Sequence, residues 1–251
     1  MNTEVVKLEK SNAQQPTVLV SGGSRGLGAT LVQACLDQGY NVATFSRSET
    51  ENVKELQGRE NYFWQPLDCV NYTELNNFVK ETHQRFGSID CLINNAAIGT
   101  EGILATMSIR DIDAVLDTNL RSQIYLTKLV VRKMLKARSG CIINISSINA
   151  VRGHSGVSVY SSTKAAIDGM TRSLAKELGS KDIRVNSISP GYFESDMVKD
   201  LPETTLNRIK RRTPLNRLGN VVEIAKLALF LFEEGKFITG QNIAIDGGFT
   251  C

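Results

Sequence analysis

Histidine is nearly missing from this chain: 251 residues contain two, His83 and His154, alongside a single tryptophan, Trp64. With so little imidazole, a metal centre has poor raw material, and none is expected. Cysteine is sparse as well. Cys35, Cys69, Cys91, Cys141 and Cys251 are odd in number, scattered, and form no Cys-x-x-Cys pair. That spacing favours free thiols in a reducing compartment over a disulfide framework. Neither sign of charge prevails, since 29 basic residues face 26 acidic ones for a net charge of +3. The balance excludes a general polyanion binder, so nucleic acid is not expected as a partner, although local clusters can still attract an acidic protein. No apolar run is long enough to span a bilayer, and the opening MNTEVVKLEKSNAQQP mixes lysine with glutamate where a signal peptide needs an apolar stretch. The expectation is a cytoplasmic protein without a membrane segment, with residues 1–15 as a loose extension.

What is present is a regular alternation. From residue 17, TVLVS is followed by GATLVQACLDQG, NVATFS, a polar helical stretch, and NYFWQPLD. The pattern continues through TELNNFVKETHQRFG, IDCLINNA, a long helix from about Ser108 to Lys136, GCIINISS, a helix carrying Tyr160, and IRVNSISP. Short apolar runs alternating with amphipathic ones predict an α/β fold: a doubly wound, Rossmann-type parallel sheet of about seven strands with helices on both faces. With no repeat or linker to divide it, residues 16–251 read as one domain. Residues 192–218, charged and holding Pro202 and Pro214, interrupt the alternation and read as a substrate lid. The helix NVVEIAKLALFLF and the strand QNIAIDGG close the chain.

The first strand runs into VLVSGGSRGLGATLV, placing Gly22, Gly26 and Gly28 between a strand and a helix. Glycines there allow a tight turn and close approach of a diphosphate, and the helix N-terminus favours its negative charge. A dinucleotide is therefore expected. At the end of the second strand, where an acid would meet the ribose hydroxyls of NAD, stand Ser46 and Arg47, with no acid before Glu49. Arg47 and Arg25 can offer guanidinium forks to a 2′-phosphate, so NADP is preferred over NAD.

Tyr160 and Lys164 lie four apart on one helix and share a face. Bringing a phenol from about 10 to neutrality requires roughly 4 kcal/mol. One cation at about 4 Å in an effective dielectric of about 20 supplies about that much before desolvation. The pair is thus expected to act as a proton donor, with the lysine making the phenol acidic. Tyr-x-x-x-Lys alone is commonplace on helix surfaces; its weight comes from Ser146 and Ser147, which end a predicted central strand shortly before it.

In these motifs the chain resembles the classical short-chain dehydrogenase/reductases, from about residue 17 to the C-terminus. The family's signatures are read as Ser21-Gly22-x-x-x-Gly26-x-Gly28, Asn94-Asn95-Ala96-Ala97, Asn119 in DTNL, Ser147, and Tyr160 with Lys164. PGYFESDM and ITGQNIAIDGG are similar to its late motifs. The resemblance implies that Tyr160 donates the proton, Ser147 hydrogen-bonds the substrate oxygen, Lys164 holds the nicotinamide ribose and lowers the tyrosine, and Asn119 holds a water linking Lys164 to solvent. It implies NADPH as cofactor, held by the Gly22–Gly28 loop with Ser24, Arg25 and Leu27, and by Arg47. Asp68 and Cys69 would lie at the adenine, Asn95 and Ala96 at the adenosine ribose, and Pro190, Gly191 and Ser195 at the nicotinamide end. Three positions depart from the family pattern: Ser21 and Ser195 replace threonines and keep a hydroxyl, while Ala97 replaces a glycine and demands an ordinary backbone angle.

Within that family the chain most resembles the β-ketoacyl-carrier-protein reductases, notably in PLNRLG and ITGQ. The resemblance implies a homotetramer acting on a 3-oxoacyl thioester carried by an acyl carrier protein, with Arg138 and Lys181 docking the acidic carrier. The run KLVVRKMLKARSG is basic throughout, though a solvated helix end has the same composition. A carbonyl reductase or alcohol dehydrogenase acting on a free sugar, steroid or ketone stays open, as does a silent NADP-binding regulator. His83, His154 and Trp64 are read as surface or packing residues.

Overall fold

A computed structural model describes residues 15–194 and 202–251. Strand β1 (Thr17–Ser21) is buried along its whole length, and its side chains alternate between two cores. Val18 and Val20 enter one apolar cluster, while Leu19 enters the other. A strand apolar on both sides has to be covered on both sides, and the sequence supplies a helix after each strand. Helix α1 (Gly26–Asp37) leads to β2 (Asn41–Ser46), α2 (Glu51–Leu56) to β3 (Tyr62–Pro66), and α3 (Tyr72–Phe86) to β4 (Cys91–Asn94). The second half continues with α4 (Ile109–Leu116), α5 (Ser122–Ala137), β5 (Gly140–Ile145), α6 (Ser158–Leu178) and β6 (Ile183–Pro190). Helices α7 (Glu203–Arg212) and α8 (Val221–Glu233) and strand β7 (Asn242–Ile245) complete the chain.

The seven strands are all parallel, in the order β3-β2-β1-β4-β5-β6-β7. The expected seven-stranded Rossmann-type sheet is therefore what forms. The order reverses between β1 and β4, and the carboxyl ends of strands flanking such a reversal form a crevice for ligands. One core, under α1 and α8, holds Leu31, Cys35, Cys91, Cys141, Ala225 and Leu231; the other holds Leu75, Phe78, Leu92, Val130, Ile142 and Val185. All five cysteines are free. Among the described residues no helix is long and apolar enough to cross a membrane, and no cluster of three or more potential metal ligands occurs.

Two expected elements differ in detail. The single long helix from Ser108 to Lys136 is two helices joined by a π-helical turn, Asp117–Arg121, which contains Asn119. Such turns pack one extra residue into an α-helix and gather at functional sites. In the expected lid, α7 stands between two chain ends that are pinned together. Glu194 N–H donates to Gly219 O at 3.0 Å and Gly219 N–H to Tyr192 O at 2.9 Å. Residues 195–201 of that region lie outside the described residues.

Helix α8 is fastened by an unusual buried cation. Arg184 on β6 is 9% exposed, and its guanidinium donates to Leu231 O, Phe232 O and Gly235 O at 2.5, 2.9 and 2.7 Å. These carbonyls belong to the last turn of α8 and just beyond, where no intrahelical donor remains. Arg184→Met keeps the apolar stem but strands those acceptors. It is expected to cost about 2–4 kcal/mol, seen as a fall in melting temperature of roughly 5–12 °C by calorimetry.

Candidate active site

The turn after β1 forms a cradle because larger residues would close it. Gly22 has φ +71° and Gly26 φ +55°. A Cβ at Gly28 would lie 2.0 Å from Gly22 O, so α1 can approach the loop only with a hydrogen at that position. Gly23, which the motif reading passed over, is equally constrained. Its N–H donates to Thr44 Oγ1 at 3.0 Å, and a Cβ there would meet the same oxygen at 2.2 Å. No glycine period marks Gly23 in the sequence; the constraint comes from the neighbouring strand.

The cradle is stitched to β4 by the two motifs the sequence places far apart. Ser21 Oγ accepts from Asn95 N–H at 2.9 Å and Ala96 N–H at 3.0 Å, and Asn95 Nδ2 donates to Ser21 O and Gly22 O at 3.0 and 3.2 Å. The hydroxyl that Ser21 retains is thus used to hold the start of the loop after β4. Asn95 uses its side-chain amide to hold the loop in shape. Among the described residues the non-glycine positions with positive φ are Arg138, Asp182 and Asn216, so Ala97 sits in ordinary backbone and its extra methyl is accommodated.

Around this cradle the structure gathers most of the expected cofactor residues. Ser24 and Leu27 are buried in the loop and Arg25 is exposed at the start of α1, which has no acidic residue in its first turn. Arg47 is exposed just beyond β2. Ser46 Oγ is committed, donating to Ser48 O at 2.9 Å and accepting from Trp64 Nε1 at 2.9 Å. Asp68 is exposed beyond β3; neighbouring Cys69 is partly buried, and burial pushes its thiol up. Pro190 ends β6. Gly191 N–H donates to Ile245 O at 3.0 Å, and a Cβ at Gly191 would lie 2.7 Å from Asp246 Cα. Ser195 lies outside the described residues. Glycines that keep backbone close, a helix N-terminus without acid and two exposed arginines match the donor set that a dinucleotide diphosphate requires.

Ser147 and Tyr160 meet at the carboxyl end of β5. Ser147 Oγ accepts from Asn149 N–H at 3.1 Å, which orients it and leaves its own proton for the phenol oxygen of Tyr160. Below them Lys164 is 1% exposed, with Nζ donating to Ile145 O at 2.8 Å and lying 5.6 Å from the centre of the Tyr160 ring. Here the electrostatics correct the expectation. Burial pushes the Tyr160 phenol above its ordinary range, and the hydrogen bond from Ser147 only partly opposes this. Lys164 is itself held down to about 8, because desolvation of its ammonium outweighs the nearby Asp168 carboxylate. Desolvation, which that sum of one cation and one phenol leaves to be subtracted, acts on both groups together. With Lys164 Nζ 5.6 Å from the ring centre, the ammonium alone does not bring the phenol below its ordinary range.

Asn119 is fully buried, and its side chain makes a paired contact with the backbone of Ile98: Oδ1 accepts from Ile98 N–H and Nδ2 donates to Ile98 O, both at 2.8 Å. The amide is thus engaged in anchoring the loop after β4. Two polar pairs tie the same strand ends to helices: Asn94 Nδ2 donates to Thr127 Oγ1 and to Asn144 Oδ1, and Asn144 Nδ2 donates to Thr171 Oγ1, at 2.8–2.9 Å.

Sequence reading missed Phe249 near the C-terminus. Its ring is 5.1 Å from that of Tyr192, and the guanidinium groups of Arg152 and Arg212 lie 4.8 and 5.8 Å from it. Arg152 also donates to Phe249 O at 2.7 Å. The loop after Ser147, the segment after β6, helix α7 and the C-terminus therefore share one contact. Nothing periodic announces it.

Arg138 and Lys181 do come together, but elsewhere. Arg138 ends α5 with φ +53°, Lys181 lies in the turn after α6, and Gly140 N–H bonds Asp182 O at 3.2 Å between the two turns. They stand at the amino ends of β5 and β6, a strand length of about 20 Å from Ser147.

A dinucleotide cradle beside a serine-tyrosine pair over a buried lysine, all at the carboxyl ends of a parallel sheet, is the arrangement of an oxidoreductase that acts on CH–OH and C=O groups. A family model described as enoyl-(acyl carrier protein) reductase matches residues 22–250, and the chain belongs to the short-chain dehydrogenase/reductase family, whose members use a nicotinamide cofactor. The chain is 40% identical over 243 residues to the 3-oxoacyl-[acyl-carrier-protein] reductase FabG of Chlamydia trachomatis, covering 92% of this chain and 96% of that one. Proteins of the same name from Staphylococcus epidermidis and Thermotoga maritima are each 36% identical, over 92% of this chain and 98% and 96% of theirs.

The cradle yields a prediction. Gly28→Ala forces the backbone at Gly22 to move, a strain of about 1–3 kcal/mol, so affinity for the nicotinamide cofactor should fall roughly 10- to 100-fold in a fluorescence titration.

Proposed function

We propose that this chain is an NADPH-dependent reductase of 3-oxoacyl thioesters presented on an acyl carrier protein, yielding the 3-hydroxyacyl product. The observation that carries the reading is the Ser147–Tyr160 pair above buried Lys164, next to the glycine cradle. The cofactor, when bound, supplies hydride; protein side chains do the rest. Ser147 fixes the ketone oxygen, and Tyr160 hands that oxygen a proton as it gains negative charge. Lys164 stabilises the phenolate left behind, and after turnover a proton returns through the π-turn region around Asn119.

NADPH over NADH is supported by exposed Arg25 and Arg47 and by the lack of a carboxylate at the end of β2. The substrate class is supported by the relatives named above. By their names those relatives reduce a ketone, whereas the family model's description is of an enzyme that reduces a carbon–carbon double bond. The two differ in where the proton goes: a ketone needs it on oxygen, where paired hydroxyls are useful, and an enoyl group needs it on carbon. The hydroxyl pair favours the ketone.

The carrier is assigned to Arg138 and Lys181. Their distance from Ser147 means that a thioester arm must reach around the sheet or serve a neighbouring copy. A homotetramer is consistent with this and with exposed Ile109, Ile124 and Leu135 on α4 and α5, and exposed Val222, Phe230 and Phe237 at α8 and beyond.

NADPH oxidation with carrier-bound 3-oxoacyl, carrier-bound trans-2-enoyl and free ketone substrates separates these readings. The 3-oxoacyl carrier should be reduced at least about tenfold more efficiently than either rival; equal efficiency with the free ketone removes the carrier, and preference for the enoyl group reverses the chemistry. Tyr160→Phe should lose roughly 100- to 10,000-fold in kcat while still binding NADPH. Separately, Arg138→Glu with Lys181→Glu should shrink the advantage of the carrier substrate over its short thioester mimic by about tenfold, through KM.

A further inference from the structure

The helix face that carries Tyr160 and Lys164 continues one turn further to an acid. Asp168 follows Lys164 by four residues, is 4% exposed, and lies in α6 beneath the lysine. A carboxylate in that position is expensive unless its oxygens are satisfied. Both are. Oδ1 accepts from Ser187 Oγ at 3.1 Å on β6, and Oδ2 accepts from Asn242 Nδ2 at 2.6 Å on β7. Ser146, at the end of β5, adds a further hydrogen bond. Asn242 is in turn oriented by Ser189, whose Oγ donates to Asn242 Oδ1 at 2.7 Å. Three strands thus aim neutral donors at one buried carboxylate, which none of the motifs accounts for.

The donors keep the acid ionised without neutralising it, so its charge remains available to the ammonium above. The charged neighbours are few. Among the described residues the only charged group acting on Lys164 is Asp168, and those acting on Asp168 are Arg172 and Lys164. Arg172, a turn further along α6, is exposed and screened by water. The groups facing the pair from β5, β6 and β7 are the uncharged Ser146, Ser187 and Asn242, and Lys164 itself touches the Ile145 carbonyl and the Tyr160 ring.

We propose that Asp168 is a positioning residue that keeps Lys164 cationic at the working pH, acting on the reaction through the lysine and touching neither substrate nor cofactor. The electrostatics agree in direction. Burial drives Lys164 down to about 8, near enough to neutrality that losing a nearby anion changes its charge, and Asp168 is the group that opposes the fall. Burial also pushes Asp168 up, yet its hydrogen bonds and the two cations work against this. The kinetic consequence rests on the reductase reading given above; the effect on Lys164 does not.

The direct test titrates Lys164 by its 13Cε resonance in 13C-lysine-labelled protein, the signal being the one absent from Lys164→Met. No substrate is needed. Asp168→Asn should lower the midpoint by about one pH unit, since a unit charge one helical turn along the same face, at an effective dielectric of about 20, contributes on that scale or somewhat more. Asp168→Glu should bring it back toward the parent value. If Asp168→Asn does not fold, Asp168→Ser, smaller and uncharged, gives the same reading. A folded, uncharged variant whose Lys164 midpoint stays at the parent value overturns the proposal. In the reductase assay the alkaline loss of kcat should begin about one unit lower in Asp168→Asn, with KM for NADPH little changed. A uniform loss at every pH would make Asp168 a packing residue only and would equally overturn the proposal. A shifted titration with no reductase activity in the parent would instead leave the Asp168–Lys164 linkage standing and remove the assigned reaction.

Discussion

Lys164 brings an ammonium into the end of a seven-stranded sheet with 1% of its surface exposed, and the neighbouring structure is arranged to tolerate it. A charge in that position loses most of its hydration, which the Ile145 carbonyl replaces in part at 2.8 Å. On the β4 side the ladder ends at Asn144 opposite Asn94, one residue before this carbonyl, while the β6 side still pairs Ile145 with Ile188. The same strand end projects Ser146 and Ser147, and the helix that carries Lys164 brings Tyr160 one turn before it and Asp168 one turn after it. One buried cation therefore joins a strand terminus, a helix face and a row of hydroxyls.

The topological reversal between β1 and β4 determines where that cation can matter. Only there do adjacent strands send their following segments to opposite faces, leaving a crevice between them. The Gly22–Gly28 turn occupies one side and the Asn95–Ile98 loop the other. Ser21 and Asn95 hold the two together with four hydrogen bonds of 2.9–3.2 Å. Asn119 extends this by pinning Ile98 from the π-turn. Asn95 and Asn119, read from motifs, both use their side-chain amides to hold backbone in place here.

The outer loops are coupled differently. Phe249 gathers Arg152, Tyr192 and Arg212 through ring and cation contacts, so the C-terminus, the loop after Ser147 and helix α7 share a boundary. Such contacts are individually weak, about 0.5–2 kcal/mol. The basic turns bearing Arg138 and Lys181 lie at the far end of the sheet, outside this boundary.

The order of strands and helices, the glycine turn, the hydroxyls of Ser147 and Tyr160 and the position of Lys164 were legible along the chain. They rest on short periods: two residues in a strand, four on a helix face, a few in a turn. The split of the long helix around Asn119, the constraint on Gly23 from Thr44, the contact at Phe249 and the use of Asn95 as a fastener were not legible, because each joins residues that no local period relates. The charge states followed the same division. Spacing put a lysine beside a tyrosine, but only the packed structure, by removing water from both, decided that the phenol is raised and the lysine brought down to about 8. Sequence alone determined which groups share a face; tertiary burial decided their protonation, because desolvation depends on everything packed around a group and on nothing in its immediate neighbours along the chain.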